Sequence, residues 1–166
     1  MLVFRCTKRL VARLRLETVV DSGPSTGRLG DWYANTLNVG RARYVLCLSE
    51  RTLLPVILPA RKADFPGHFP AALAYVLERM GIGRADVERE VNSSSPVLFA
   101  ATASRVLLGA LNDFAWNAEA HFRHDPGPRE PNPLDVALRL AKMPSKPIGY
   151  SSPDRVTLEL LTAAPS

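Results

Sequence analysis

The polar residues best suited to chemistry share one face of a predicted helix. Between residues 105 and 124 the apolar residues repeat at helical spacing, so at about 100° per residue they form one core stripe. This stripe contains Leu107, Leu111, Phe114, Ala118 and Phe122. The opposite side places a cation, an amide, a carboxylate and an indole around a residue without a side chain, namely Arg105, Asn112, Asp113, Trp116 and Gly109. Because glycine inside a helix costs about 0.5–1 kcal/mol relative to alanine, we expect another group to approach the backbone at Gly109.

Two interpretations fit this polar face. In the first, a neighbouring helix or strand packs on Gly109, and Arg105 and Asp113 make structural hydrogen bonds. In the second, the face is a ligand site where Arg105 binds an anion that Asn112 and Asp113 orient. The second interpretation predicts a small hydrolase or transferase acting on an anionic substrate, with Arg105, Asn112 and Asp113 as candidate catalytic residues. The sequence leaves open whether the protein is an enzyme.

A second set of polar residues lies near the start of the chain. Tyr33 and Asn35 fall on one face of a predicted strand, where an aromatic ring beside an amide can stack on and hydrogen-bond a nucleobase. The alternative is core packing with one satisfied buried amide. Arg5 and Lys8 would add positive charge if the first strand pairs with the same sheet. The candidate ligand-binding residues are therefore Arg5, Lys8, Tyr33, Asn35, Arg105 and Asn112.

The excess positive charge of the chain is confined to its first third. The formal net charge is +5, and residues 1–60 hold nine Arg or Lys against four Asp or Glu, whereas residues 61–166 hold twelve of each sign. A field that attracts a polyanion must therefore come from the N-terminal part. This distribution predicts a non-catalytic binding protein with an acidic partner, which would be nucleic acid in the first place or else an acidic protein. The alternative is that 17 arginines against four lysines reflect a GC-rich genome.

Other kinds of chemistry have weak support in the sequence. His121 and His124, followed by Asp125, could share a metal ion, but no third ligand is evident, and imidazoles in the last turn of a helix also suit its dipole. Cys6 and Cys47 lack a histidine at a catalytic spacing and are best explained as buried small hydrophobes. The sequence contains neither a Walker loop nor a dinucleotide glycine fingerprint. We therefore expect no metal and no cofactor.

The strand pattern predicts an α+β fold. A meander of three strands is expected over residues 32–58, with further short strands near residues 2–5 and 97–101. We expect these strands to form a small antiparallel sheet. Pro55 should lie on an edge strand, because proline cannot donate to a ladder, and the apolar run over residues 44–48 should be covered on both faces.

Helices are expected to cover this sheet. Thr7 and Ser104 are suited to cap the first helix and the longest one, and residues 65–70 are predicted to form a turn. The predicted helices span residues 8–16, 70–80, 84–91, 105–124, 133–143 and 153–161.

Length and composition predict one globular domain over residues 1–166. The chain has 166 residues, of which 46% are hydrophobic and 22% charged, as in ordinary globular proteins. No stretch approaches the ~18 apolar residues of a membrane span, and the apolar run at the start is too short for a signal peptide. We therefore expect a cytoplasmic protein without a membrane partner, whose oligomeric state the sequence does not specify.

Four segments resemble a family of bacterial domains of unknown function. They are Arg-Cys-Thr-Lys at residues 5–8, Trp-Tyr-Ala-Asn at 32–35, Glu-Arg-Thr-Leu at 50–53 and Arg-Val-Leu-Leu-Gly-Ala-Leu-Asn-Asp at 105–113. The family often has serine where this chain has Val106 and Ala110, so a hydroxyl nucleophile at either position is excluded here. The resemblance implies a single domain of about this length, and it implies no activity.

Overall fold

The fold is built on a six-stranded mixed sheet. The structure, a computed structural model, describes residues 1–61, 64–124 and 131–164. The strands are β1 (Leu2–Cys6), β2 (Thr18–Val19), β3 (Trp32–Val39), β4 (Ala42–Ser49), β5 (Pro55–Pro59) and β6 (Val97–Ala101). Their order across the sheet is β2-β6-β1-β3-β4-β5.

Six α-helices accompany the sheet in the described residues, and both expected caps are present. Thr7 Oγ1 accepts a hydrogen bond from Leu10 N at 3.3 Å, and Ser104 Oγ accepts one from Leu107 N at 3.2 Å, as the sequence predicts. A short 3-10 helix covers Lys146–Ile148. The α-helices are α1 (Lys8–Leu14), α2 (Phe65–Arg79), α3 (Arg84–Asn92), α4 (Arg105–His124), α5 (Pro133–Leu140) and α6 (Pro153–Thr162).

The α+β class is confirmed, but the sheet is not antiparallel throughout. The meander β3-β4-β5 is antiparallel as expected, whereas β1 pairs in parallel with both β3 and β6. The reason is the length of the connections. The chain passes through α1 between β1 and β3, and through α2 and α3 between β5 and β6, and such crossovers join parallel strands. The two-residue strand β2, also parallel to β6, was not predicted.

Helix α2 begins five residues earlier than the sequence indicates. The predicted turn at residues 65–70 is in fact the first part of this helix. Phe65 and Phe69 are buried against Phe4 of β1, with ring centroids 5.1 and 5.0 Å apart. Proline is tolerated in a first helical turn, and burial of two phenyl rings offsets the backbone hydrogen bond lost at Pro70, inside the helix.

Both faces of the sheet are covered by a hydrophobic core. On one face Phe4 and Trp32 pack against α2; on the other, Tyr33 and Leu46 pack against α4 and α5. All residues of the apolar run over residues 44–48 are buried, which confirms the prediction for β4. Strand β5 is an edge strand, as Pro55 predicts.

A single buried hydroxyl provides a test of this packing. Among the residues that the structure describes, Thr36 Oγ1 is the buried side-chain oxygen without a hydrogen-bond partner. The substitution Thr36→Val removes an unsatisfied polar atom and keeps the β-branched side chain. We therefore expect the free energy of unfolding, measured by urea denaturation, to increase by about 1 kcal/mol. Thr157→Val is the matched control. Thr157 Oγ1 donates to Thr52 Oγ1 at 2.8 Å inside the core, so its loss should destabilise the protein. Equal effects of the two substitutions would contradict this account.

Candidate functional site

The carboxyl ends of the central strands form the region where the topology favours a ligand site. Strands β1, β3, β5 and β6 all run in one direction, so their carboxyl ends lie at the same edge, which we call the carboxyl edge. After β1 the chain enters α1, whose Leu10 belongs to the core on the α2 side; after β6 it enters α4, whose Leu111 belongs to the opposite core. Open sheets form a binding crevice where adjacent parallel strands send their connections to opposite faces.

Three of the predicted ligand residues lie around this point. Cys6 and Ala101 are partners in the β1-β6 ladder, so Lys8 and Arg105 follow the ends of two neighbouring strands. Asn35 lies beside them on β3, and its Oδ1 accepts hydrogen bonds from Thr7 Oγ1 at 2.6 Å and Thr36 N at 2.8 Å. The residues predicted from three separate segments of the chain therefore lie at one edge of the sheet.

Arg5, near the end of β1, is held by structural contacts. Its Nε donates to Asp31 Oδ2 at 3.0 Å, and its Nη1 donates to the carbonyl oxygen of Ala101 at 3.3 Å. The other carboxylate oxygen of Asp31 accepts from the backbone N and the Oγ of Ser25, at 2.9 and 2.8 Å. Asp31 is only 5% exposed. Arg5 therefore joins β1, the end of β6 and the loop before β3.

Removal of the negative charge from Asp31 tests this anchoring role. In Asp31→Asn an NH2 group replaces one carboxylate oxygen and faces the donors of Arg5 or Ser25. We therefore expect a loss of about 1–3 kcal/mol in the free energy of unfolding. Asp21→Asn, at an exposed position of the same loop, is the control and should be neutral. Equal stability of the two variants would show that Arg5 needs no carboxylate to be positioned.

Tyr33 is not available on the surface. It shares a face with Asn35, as predicted, but that face is covered by α4, and Tyr33 is 4% exposed. Its ring contributes to the core beneath the helix. A ligand cannot stack on it without displacing α4.

The other cations at this edge lie on α1, on the β3-β4 hairpin and, in the case of Arg61, directly after β5. Arg13 Nη1 donates to Asn38 Oδ1 at 2.8 Å, and Asn38 is opposite Arg43 in the β3-β4 ladder, so α1 and the β3-β4 hairpin form one continuous surface. Within the described parts of the chain, none of these cations has a carboxylate within 4.0 Å. Acidic residues in the same connections are Glu17, Asp21 and Asp64. We call this surface the basic edge; it consists of Lys8, Arg9, Arg13, Arg15, Arg41, Arg43 and Arg61.

The remaining arginines of the first third have structural roles at the opposite edge. Arg28 Nη1 and Nη2 donate to the carbonyl oxygens of Leu161 and Ala163 at the end of α6, at 3.1 and 3.3 Å. Arg51 Nη1 donates to the carbonyl oxygen of Arg28 at 2.9 Å. The charge count indicates only that the N-terminal part is basic. The structure shows which of its arginines bond to backbone carbonyls within the protein and which do not.

The polar face of α4 lacks the packing at Gly109 that the first interpretation of the sequence predicts. Apart from the adjoining backbone of α4 itself, a Cβ atom built on Gly109 has no atom within 4 Å, so the expectation that another group of this chain approaches the backbone there is wrong. The face is exposed, because the apolar side of α4 takes all the contact with the sheet. Arg105 and Asp113 are eight positions apart, which is about 12 Å along a helix axis. Asp113 borders a groove of about 270 Å³ beside Lys146. The three candidate catalytic residues therefore do not converge in one enclosed cleft.

A second cavity is lined by cations that no sequence pattern groups together. It has a volume of about 500 Å³ and lies between the end of α2, the residues after α5 and the start of α6, where Arg79, Lys142 and Arg155 line it. Each of these cations comes from a different helix region, so no local spacing marks them. The backbone N–H groups of Asp154 and Arg155 at the start of α6 already donate to Ala141 O and Asp154 Oδ1.

The two thiols lie in the core, where they cannot act as nucleophiles. Cys6 and Cys47 are 2% and 0% exposed. Burial raises the pKa of Cys6 to about 12, and burial together with the neighbouring Cys6 raises the pKa of Cys47 well above its usual range. The reactive thiolate form is therefore scarce at neutral pH.

Labelling with a chromogenic disulfide reagent checks this state. A raised pKa keeps both groups protonated until the pH approaches about 12 for Cys6, so we expect almost no reaction of the native protein between about pH 7 and pH 9. In urea both thiols should react quickly with the usual pH dependence. Rapid labelling of the folded protein at pH 8 would contradict the buried placement.

The histidines give no metal site within the described residues. His121 and His124 lie in the last turn of α4, and Asp125 lies outside the residues that the structure describes. In those described, no three His, Cys, Asp or Glu side chains are grouped to hold a metal ion. None of the described helices has the length and apolar character needed to cross a bilayer.

Comparison with known proteins identifies the family to which the chain belongs. Residues 3–156 match the family described as Domain of unknown function (DUF6933), and the chain belongs to that family. No curated protein and no solved structure matches the chain.

Proposed function

We propose that this member of the DUF6933 family is a binding protein that engages a polyanion, nucleic acid in the first place, through its basic edge. The observation that carries the proposal is the grouping of unpaired cations on α1, on the β3-β4 hairpin and after β5. These side chains have no carboxylate partner in the described structure, so they are free to meet phosphate groups.

The dimensions of the basic edge suit a phosphate backbone. From β1 to β5 the edge crosses three strand spacings, about 14 Å, over which one strand of a duplex presents about four phosphates. Lys8, Arg9 and Arg41 are exposed along this length. Contacts of this kind give affinity with little sequence preference, because phosphates are the same in every sequence.

Anisotropy titrations with labelled single-stranded DNA, duplex DNA and RNA test the proposal. With about four phosphate contacts, the affinity should fall about 100-fold between 50 and 200 mM salt, because binding releases counterions. The triple variant Lys8→Gln, Arg9→Gln, Arg41→Gln should bind at least about 10-fold more weakly in low salt and show a smaller salt slope.

The matched control removes the same charge elsewhere. Arg84→Gln, Arg89→Gln and Arg123→Gln neutralise exposed arginines that pair with a carboxylate on their own helix. This control should retain most of the binding. An equal loss in both triple variants, or no binding in low salt, would refute the basic edge as the site. Binding to polyglutamate but not to nucleic acid would identify an acidic protein as the partner class.

A further inference from the structure

The exposed surface of α4 carries two large apolar side chains among its polar residues. Trp116 is 76% exposed and Val106 is 59% exposed, the indole being the largest side chain on the face. Tryptophan is enriched among the residues that carry binding energy at protein interfaces. We call this surface the α4 face; it consists of Arg105, Val106, Gly109, Asn112, Asp113 and Trp116.

The α4 face is arranged about Gly109. Arg105 and Asp113 lie four positions before and four positions after it, about 6 Å along the axis in each direction. On a helical wheel Gly109 is at the middle of the exposed side, with Arg105 about 40° to one side and Asp113 about 40° to the other. A cation and a carboxylate are thus equidistant from a position that has no side chain.

We propose that a second copy of the chain docks on this face, with the two α4 helices antiparallel about a two-fold axis beside Gly109. In a two-fold interface every contact occurs twice, so the surface must be complementary to itself. The antiparallel arrangement sets Arg105 of each copy opposite Asp113 of the other. A parallel arrangement would set Arg105 against Arg105 and Asp113 against Asp113, and like charges disfavour it.

Glycine at the centre allows the two helices to approach closely. Nothing in the chain itself occupies the space above Gly109, so a backbone of the second copy can pack there. Trp116 then extends over the start of the partner helix, where its ring becomes buried. The pairing accounts for a helical glycine that makes no contact within its own chain.

This inference does not depend on the proposed function. None of the residues of the basic edge belongs to the α4 face. The protein can therefore dimerise without binding a polyanion, and it can bind a polyanion without dimerising. Neutralising variants of the basic edge therefore leave the dimer unchanged and serve as its charge controls.

Sedimentation equilibrium over a concentration series tests the pairing by charge exchange. The wild-type protein should dimerise at concentrations below about 1 mM, the limit of the weakest specific associations. Arg105→Asp alone and Asp113→Arg alone should each weaken dimerisation at least about 10-fold, because like charges then face each other. The double variant exchanges the charges and should restore the wild-type dissociation constant to within about 3-fold.

Three outcomes would overturn the proposal. They are a wild-type protein that stays monomeric, single variants that dimerise normally, and a folded double variant that fails to recover. Circular dichroism establishes folding in each case, and Arg155→Asp, on α6, is the control for charge reversal away from the face. Loss of dimer in Trp116→Ala but not in Leu158→Ala, which trims another exposed apolar residue, is the expected result for the indole.

Cross-linking gives an independent readout of the register. Gly109→Cys places one thiol of each copy beside the two-fold axis, so mild oxidation should yield a disulfide-linked dimer. Cys6 and Cys47 are buried and give little background. Ala85→Cys, exposed on α3, should not cross-link. Equal cross-linking at positions 85 and 109 would reject the two-fold pairing at Gly109.

Discussion

The central position of β1 is the constraint from which the rest of the architecture follows. This strand begins the chain and lies between two parallel neighbours, β3 and β6. No tight turn can join parallel strands, so the chain must leave the sheet and return through helices on its faces. That requirement places α1 after β1 and α2 with α3 before β6, and it buries both faces of the sheet. It also brings Lys8, Arg41 and Arg61, which are far apart in sequence, to one edge.

Local features of this fold could be predicted, because the signals that specify them are local. The core stripe of α4, the caps at Thr7 and Ser104, the meander and the edge position of Pro55 all rest on neighbouring residues. The parallel pairing of β1 with β6 rests instead on contacts between residues 95 positions apart, such as Phe4 and Phe99. The start of α2 was misplaced because tertiary packing of Phe65 on Phe4 overrides a sequence rich in proline and glycine.

The sequence predicted which residues share a face better than it predicted what surrounds that face. Periodicity correctly grouped Arg105, Gly109 and Trp116 on one face, but it does not specify what lies opposite that face, which in the structure is solvent. Strand alternation likewise placed Tyr33 and Asn35 on a common side. It could not show that α4 covers the ring and leaves the amide near the carboxyl edge, because helix placement depends on the whole sheet.

A charge count cannot distinguish arginines that are hydrogen-bonded within the fold from arginines that are not. Arg5, Arg28 and Arg51 use their guanidinium groups on backbone carbonyls and on Asp31, which are fixed acceptors of this fold. A side chain held in this way contributes to the long-range field, but its hydrogen-bond donors are already occupied. Arg9 and Arg41 carry the same formal charge, but their guanidinium groups bond to no carboxylate within the described residues. Net charge therefore overstates the surface that a polyanion can contact, and the geometry of acceptors within the protein decides which cations remain available.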